Sequence, residues 1–415
     1  MRSFGQVLDQ NKGIGHGFDL LRLFLASSVV FWHSFVVIQG TDQPYHESWL
    51  WIYKFAVLPC FFGLSGFLVA GSAFRLSLGE FLTNRAFRIV PALTVDVILS
   101  ALVLGPIFTT ATLHEYFSDR RFWTYFENVL GLIHFKLPGV FTQNPLDYVN
   151  MSLWTVPFEI ACYIMLAAII LLGWLKKPSC IIILVLFYFL LSILFVNFTG
   201  LPSASSGTIS RIVWFIFAPN AANTSGPSLV PIFLCGCLCY IFRYRIPYNR
   251  HLLTLCLVCM ALLAVFGEWT WETQPVFQLV SIPIFIYTTI YIGLLDVHLP
   301  ALFKNNDYSY GIYLYGWPLQ QAVAATFPDL KNPWLGFIVA FVPLLVFAAF
   351  SWHVIERPIL KLRRKLRFMQ SSISPKQLEQ LQANPPVRNV ATSARPGHDR
   401  LPPEELPVHS PNAAR

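Results

Sequence analysis

The amino-acid sequence predicts an all-α membrane protein, a polytopic bundle of about ten transmembrane helices with both termini in the cytoplasm. Hydrophobic residues make up 55% of the 415 residues and charged residues only 12%, about half the charge of an ordinary soluble domain. The apolar stretches are long enough to cross the hydrocarbon core of a bilayer, which is roughly 30 Å thick. Lysine and arginine are also distributed unequally between the two sets of connecting loops.

The predicted membrane spans lie near residues 18–38, 50–70, 87–109, 152–173, 180–198, 228–242, 251–267, 275–295, 308–327 and 334–355. The stretch 211–219 is also apolar, and an eleventh span there would change the topology. We expect a cytoplasmic N-terminal segment over 1–17 and a transmembrane domain over 18–368. The remaining tail, 369–415, is rich in Pro, Ser, Gln and Asn, which predicts disordered chain in the cytoplasm.

The orientation follows from the positive charges. With both termini inside, the inner segments hold seventeen Lys and Arg residues and the outer loops hold five, as the positive-inside rule requires. The net charge of +8 is then explained by topology and by contact with anionic membrane lipids. Nucleic acid is therefore not an expected partner. The eight cysteines lie within or beside apolar runs, so neither a disulfide framework nor a metal site is predicted.

Arg22 and His33 are the first candidates for function. They lie eleven positions apart in one apolar stretch, which places them within about 20° of the same helical face and roughly 16 Å apart along the axis. Buried ionisable side chains are costly in hydrocarbon and usually face a cavity, a partner or a substrate. Singly, His33 is equally explained by a hydrogen bond to a neighbouring carbonyl, and Arg22 by extension to the inner interface. Their shared face favours function.

Glu159 is the second candidate. It enters the fourth span from the outside, so we expect it roughly 10 Å below the outer surface, at the depth of His33. A structural pairing with another helix explains Glu159 equally well. Asp96, in the middle of the third span, is either a structural acid hydrogen-bonded to a neighbour, which we favour, or part of the same polar channel.

Three further patterns have both a structural and a functional interpretation. Arg85 and Arg88 lie three apart at the inner end of the third span, as positive-inside charge or as a phosphate-binding pair. Gly63 and Gly66 are typical of close helix packing, with Ser65 available to line a site. The tyrosines of the segment 308–318 contact either a substrate or only their neighbours.

Six motifs, taken in order, resemble the acyltransferase 3 family of bacterial integral-membrane acyltransferases, and the resemblance covers roughly residues 14 to 365. They are Arg22 with His33, the segments 62–67 and 85–91, Ser152-Leu153-Trp154 leading to Glu159, the segment 309–314, and Ile355-Glu356-Arg357-Pro358.

The resemblance implies transfer of an acyl group, usually acetyl, from cytoplasmic acyl-CoA to a hydroxyl of a carbohydrate or lipid-linked glycan at the outer side of the bacterial inner membrane. Acetyl-CoA is then a co-substrate, with no permanently bound cofactor. The family's essential histidine matches His33, and its donor-side arginine matches Arg22. The site implied for this chain adds Arg85, Arg88 and Ser65 for the donor, and Trp154, Tyr310 and Tyr313 for the substrate. One position departs from the family, because Gly316 stands where a histidine is frequent.

In the mechanism that we expect, His33 is a general base that accepts the proton of a sugar hydroxyl, and Glu159 orients its imidazole. A ping-pong route through acyl-His33 is the alternative mechanism. A different class of function is a proton-coupled transporter or flippase that uses Arg22, His33, Asp96 and Glu159 as a relay. A scaffold subunit of a polysaccharide-export complex is a third. The sequence specifies neither the acceptor nor the acyl group.

Overall fold

A computed structural model of the chain describes residues 2–361, apart from 12, 14, 16, 42, 44–47, 49, 200–227, 268–274 and 298–305. Within these ranges the chain forms helices and loops without a β-strand, and its isolated β-bridges join Ser3 to Pro247 and Thr109 to Val140. The all-α prediction is confirmed for this part of the chain. The predicted disordered tail and the apolar stretch 211–219 lie outside the described residues.

The helices are, in chain order, α1 (Phe4–Gln10), α2 (Phe18–Gln39), α3 (Trp51–Ala73), α4 (Leu78–Leu99), α5 (Gly105–Phe108), α6 (Leu113–Ser118), α7 (Arg120–Tyr125), α8 (Val156–Leu171), α9 (Pro178–Thr199), α10 (Leu229–Ile241), α11 (Arg250–Phe266), α12 (Pro275–Gly293), α13 (Ser309–Thr326) and α14 (Pro333–Phe350). A π-helical turn, Ser100–Leu104, joins α4 to α5, and a second one, Ser351–Glu356, follows α14. A 3₁₀ turn, Met151–Thr155, leads into α8.

A helix lies at each of the predicted spans. Five helical segments are long and apolar enough to cross a membrane, namely Phe18–Gln39, Trp51–Ala73, Leu78–Phe108, Met151–Leu171 and Pro333–Lys361. Shorter apolar helices lie at Pro178–Leu191, Leu229–Ile241, Arg250–Phe266 and Leu279–Gly293. Large apolar side chains also face outward, as lipid contact requires, with Leu171 71% and Phe266 76% exposed. The number of crossings and the side of the termini stay predictions.

Helix α4 begins at Leu78, earlier than the predicted span at 87. The cause is a capping box at its N-terminus, where the Ser77 hydroxyl accepts the Glu80 backbone N–H and the Glu80 carboxylate accepts the Ser77 backbone N–H. Arg85 and Arg88 therefore lie within a continuous helix instead of at its mouth.

The N-terminal segment packs against the bundle. Helix α1 begins with a capping box between Ser3 and Gln6, and Phe4 is fully buried with its ring stacked on Tyr287 at 5.2 Å. The Phe4 backbone N–H donates to the Ile246 carbonyl at 3.0 Å. This segment therefore covers the end of the bundle at which α2 begins.

Helices α3 and α10 cross in close contact at glycine residues. A Cβ atom on Gly66 would lie 2.0 Å from the Phe233 carbonyl oxygen, and one on Gly236 would lie 2.0 Å from the Gly63 oxygen. The Cys237 thiol lies 3.4 Å from the Gly66 carbonyl oxygen at the same crossing. The close-packing interpretation of Gly63 and Gly66 is therefore confirmed, while Ser65, between them, turns to another face.

We expect Gly66→Ala to destabilise the protein by about 1–3 kcal/mol or more, because the added methyl group overlaps backbone that cannot move alone. The matched control is Gly79→Ala, since a Cβ atom at Gly79 meets nothing within 4 Å and alanine is the better helix former. The thermal unfolding midpoint in detergent should fall for Gly66→Ala and hold or rise for Gly79→Ala. Equal midpoints would show that the crossing tolerates separation.

Helix α13 packs against both α2 and α14, which also contact each other. Ala26 and Val30 of α2, Ile312 and Tyr315 of α13, and Leu344 and Ala348 of α14 form one buried apolar cluster. The Gln320 side-chain amide also donates to the Val30 carbonyl at 2.8 Å. This packing holds α13, with its tyrosines, against α2, the helix that carries Arg22 and His33.

Candidate active site

A cavity of about 120 Å³ lies in the core of the bundle, between α2, α3, α4, α8 and α13. It contains most of the site residues that the sequence predicts, namely Arg22, Ser65, Arg85, Arg88, Glu159, Tyr310 and Tyr313. Leu58, Phe61, Phe62, Leu64, Leu68, Val69, Thr155, Cys162, Tyr163, Phe233 and Ser309 complete its lining. The volume holds several water molecules or one slender polar group.

Arg88 is held by two carboxylates. Its guanidinium donates to Asp307 at 2.8 Å and to Glu356 at 3.0 Å, and it lies 5.1 Å from the centre of the Tyr310 ring. These contacts tie α4 to the start of α13 and to the turn after α14. Buried charges persist when they are paired and hydrogen-bonded, so Arg88 serves first to connect these elements.

Asp307 is shared between two arginines. Besides Arg88, it lies 3.4 Å from the guanidinium of Arg22, which also donates to Asp19 one turn earlier on α2. Ser309 donates to Asp307 through its backbone N–H and its hydroxyl. Burial alone would raise the pKa of Asp307, but the two guanidiniums and the Ser309 hydrogen bonds hold it well below its usual range. Asp307 is therefore ionised at neutral pH.

Among the described residues, the Arg85 guanidinium contacts aromatic rings instead of carboxylates. It lies 5.7 Å from the centre of the Tyr163 ring and 5.9 Å from that of Phe81, and its Nε has no hydrogen-bond partner. Within the described ranges Arg85 makes no ion pair, although it lines the same cavity as Glu159. Arg85 and Arg88 thus differ in role although they lie one turn apart.

Glu159 and His33 are not brought together. Glu159 lines the core cavity and accepts a hydrogen bond from the Tyr163 hydroxyl at 2.6 Å. Glu159 shares this cavity with Arg22, Arg85 and Arg88, whereas His33 does not line it.

His33 lies outside the lining of the core cavity. It is 4% exposed, its ring lies edge-on to Trp317 with 4.8 Å between the ring centres, and its Nδ1 has no hydrogen-bond partner. An unsatisfied buried nitrogen costs free energy, and such groups need an explanation beyond packing. At Nδ1 the structure therefore does not show the hydrogen bond to a neighbouring carbonyl that would explain His33 as a structural residue.

The remaining predicted residues do not all line the core cavity. Tyr313 lines the cavity with its hydroxyl 2.6 Å from that of Thr155, whereas Trp154 lies outside the lining and packs against Phe158 at 6.1 Å. Asp96 is buried and accepts from the Asn150 amide at 2.9 Å. This hydrogen bond fits the structural interpretation of Asp96.

Gly316 lies at a close approach of α13 to α2. A Cβ atom there would lie 2.6 Å from the Val30 side chain and 3.7 Å from that of Leu344. A histidine at this position would require the Val30 side chain to shift or α2 and α13 to separate. Gly316, in place of the family's frequent histidine, thus fits the close packing of α13 on α2.

A second cavity, of about 330 Å³, opens at the end of the bundle where α2 begins. We call it the mouth cavity. Asp9, Asp19, Arg22, Arg75 and Arg243 provide its charges, and it shares Arg22 and Leu68 with the core cavity. The two cavities therefore meet at the Arg22 side chain.

Sequence reasoning missed two carboxylates and one hydroxyl of this site. Asp19 was recoverable, because it lies three positions before Arg22, the spacing of a helical ion pair. Tyr163 was recoverable in the same way, because it lies four positions after Glu159 on α8. Asp307 was not, since its arginine partners lie on α2 and α4.

The fold and site define a helical membrane protein built around an internal, arginine-lined cavity. The family model described as an acyltransferase domain matches residues 16–353, and the chain belongs to this acyltransferase 3 family.

Two relatives have similar sequences over most of their length. The chain is 27% identical over 347 residues to an O-acetyl transferase of Shigella phage Sf6, covering 83% of this chain and 95% of that protein. It is 26% identical over 399 residues to Nodulation protein 10 of Rhizobium leguminosarum bv. viciae, covering 89% of this chain and 100% of that protein. No solved structure matches the chain.

Proposed function

We propose that this protein transfers an acyl group, acetyl by preference, from cytoplasmic acyl-CoA to a hydroxyl of a cell-surface or lipid-linked carbohydrate. The observation that carries the proposal is that Arg22 lines both the mouth cavity and the core cavity, so that a donor arm entering at the mouth passes this arginine on its way into the bundle. The name of the phage relative supports acetyl as the group and an oxygen as its acceptor. The same proposal places the protein in a bacterial inner membrane, with ten membrane spans and both termini in the cytoplasm.

The mouth cavity suits the phosphates of the donor. The Arg243 guanidinium lies 4.2 Å from the centre of the Tyr240 ring and 4.6 Å from that of Tyr244, and it donates to the Tyr240 carbonyl at 2.9 Å. Arg75, which also lines this cavity, is exposed and makes no ion pair with the described residues. Arginines bind phosphate through paired N–H groups, so these two replace Arg85 with Arg88 as the proposed phosphate-binding pair.

The narrower core cavity suits the thioester arm. Arg22, Arg85 and Ser65 line its path, and the uncommitted Arg85 guanidinium is available to the polar atoms of the arm. His33 lies roughly 16 Å further along α2 than Arg22, so the acyl group reaches the histidine only when the arm extends past Arg22.

The chemistry is a direct acyl transfer. The acceptor hydroxyl oxygen attacks the thioester carbonyl carbon while its proton passes to the His33 imidazole. The C–S bond then breaks, and the leaving thiolate takes that proton from the imidazolium. The products are the O-acyl ester and free CoA. Glu159 acts on the donor side of this scheme and not as the partner of His33.

The test uses the full-length protein in membrane vesicles of both orientations with radiolabelled acetyl-CoA. We expect label in the surface glycan only when the donor reaches the cytoplasmic face. Absence of labelled glycan in both orientations would contradict the proposal. The alternative, a proton-coupled transporter or flippase, instead predicts glycan flux in proteoliposomes without consumption of acetyl-CoA.

Replacing Arg85 with alanine should raise the KM for acetyl-CoA about tenfold and leave the thermal unfolding midpoint nearly unchanged. The expected size is that of one lost charge-assisted hydrogen bond, about 1.5 kcal/mol. Steady-state kinetics at saturating acceptor measure it.

The matched variant is Arg88→Ala, one turn away. It should lower the unfolding midpoint, because it leaves Asp307 without one guanidinium and Glu356 unpaired. An unchanged KM in Arg85→Ala would remove this residue from donor binding.

A further inference from the structure

A third cavity, of about 300 Å³, lies at the opposite end of α2 from the mouth cavity. We call it the outer cavity. The residues that line it include Ile38, Phe141, Thr142, Gln143, Ala324 and Lys331. Arg22 and Ile38 lie sixteen positions apart on α2, so the mouth and outer cavities are about 24 Å apart along that axis. The outer cavity has the volume of a small-molecule site.

Its lining is mixed apolar and polar, and three of the polar side chains have no partner among the described residues. Thr142, Gln143 and Lys331 are exposed and make no hydrogen bond or ion pair with any other residue that the structure describes. Among the residues that the structure describes, no carboxylate lines the cavity. Amide, hydroxyl and ammonium groups of this kind hydrogen-bond to hydroxyl-rich ligands.

The backbone of this wall is strained. Phe141 has a φ of 56°, and it is the one non-glycine residue with positive φ among the described residues. Its ring is 3% exposed and packs on Phe108 with 5.1 Å between ring centres. A left-handed conformation costs a phenylalanine roughly 1–2 kcal/mol, and retained strain is a pointer to function. It fixes the turn from which Thr142 and Gln143 project.

The same segment is fastened to α13. The Asn144 amide donates to the Gln321 side-chain oxygen at 2.7 Å, and the Gln321 amide donates to the Leu146 carbonyl at 2.8 Å. The Trp317 indole N–H donates to the Tyr148 carbonyl at 3.0 Å. The wall of the outer cavity therefore has a fixed position relative to the tryptophan that contacts His33.

We propose that the outer cavity binds one sugar unit of the acceptor glycan, next to the unit that is acylated. This inference rests on the proposed function. Trp317 packs with Ile38 and Ala324 in one apolar cluster, and both of these residues line the outer cavity. Since the tryptophan lies between the cavity and His33, the sugar bound here is not the reacting one. It positions the glycan and contributes acceptor specificity.

The test measures glycan binding without any donor. Fluorescently labelled full-length protein in nanodiscs is applied to an array of bacterial surface polysaccharides and their oligosaccharide fragments. The variants are Gln143→Ala with Lys331→Ala, which removes two uncommitted groups, and Gln143→Trp, which fills the opening from an exposed position. The matched control is Arg120→Ala, which removes a positive charge from an exposed residue of the outer segment that does not line the cavity.

We expect the native protein to bind at least one glycan. The double variant should raise its Kd about tenfold or more, as for one to two lost hydrogen bonds, and Gln143→Trp should do the same. Arg120→Ala should leave the Kd unchanged. Equal binding by all variants, or no binding by the native protein, would overturn the inference. Cavity-dependent binding without acetyl transfer in vesicles would instead contradict only the proposed function.

Discussion

His33→Ala should lower kcat for acetyl transfer about 10²- to 10⁴-fold, the usual contribution of a general base. The imidazole is nearly fully buried and its Nδ1 is unpartnered, so alanine removes an unsatisfied polar group together with the ring contact to Trp317. We therefore expect the unfolding midpoint to change little and the donor KM to stay near the native value. Transfer of label from acetyl-CoA to the glycan measures the loss.

His33→Gln sharpens this experiment, because glutamine keeps the size and polarity of the side chain without its basic nitrogen. It should be as inactive as alanine. The control is His114→Ala, which replaces an exposed histidine of α6 and should be fully active. Retained transfer in either His33 variant would remove this residue from the mechanism. Label bound to the protein before acceptor is added, and absent from His33→Gln, would favour the acyl-histidine route.

Asp307→Asn should cause the largest loss of stability among these variants. The carboxylate lies within 2.8 Å of Arg88 and 3.4 Å of Arg22, and removing one partner from a buried ion pair typically costs about 3–5 kcal/mol. Asparagine keeps the size of the side chain and an acceptor for Ser309. We expect a lower unfolding midpoint together with a raised donor KM, because Arg22 loses one of its two carboxylates.

The dependence of this loss on pH has a definite sign. The pKa of Asp307 is lower in the folded chain than in the unfolded chain. Its contribution is therefore fully present above the ordinary aspartate value of about 4 and is lost as the pH falls below it. The unfolding midpoints of native protein and Asp307→Asn should differ most at neutral pH and converge in acid. The control, Asp329→Asn, changes an exposed carboxylate and should match native protein throughout. A constant difference between native protein and Asp307→Asn would contradict the ion-pair account.

Helical periodicity and short motifs predicted much of the core cavity. Arg22, Arg85, Glu159 and Tyr310 line one space because each lies inside an apolar helix, where an ionisable or hydroxyl side chain has few other places to go. The early start of α4 was also readable, since Ser77 and Glu80 have the spacing of a capping box.

The predictions failed where the neighbours of a side chain are residues that are distant in the sequence. Glu159 lines a cavity with the arginines and not with His33, because the neighbours of a side chain are set by how the helices pack and not by its position along its own helix. The engagement of Arg88 by Asp307 and Glu356 joins segments far apart in the chain, which no local pattern encodes. The outer cavity was invisible for the same reason, since its lining is assembled from several connecting segments.

The arginine at the junction of the mouth and core cavities bears on ion leakage. Any internal passage in a bilayer threatens the membrane potential and the proton gradient. A fixed positive group in such a passage opposes the entry of protons and metal cations, but Asp19 and Asp307, which anchor Arg22 at that point, neutralise its charge. A seal against ions at this junction therefore rests on its narrowness and on the paired charges, and not on a net positive field.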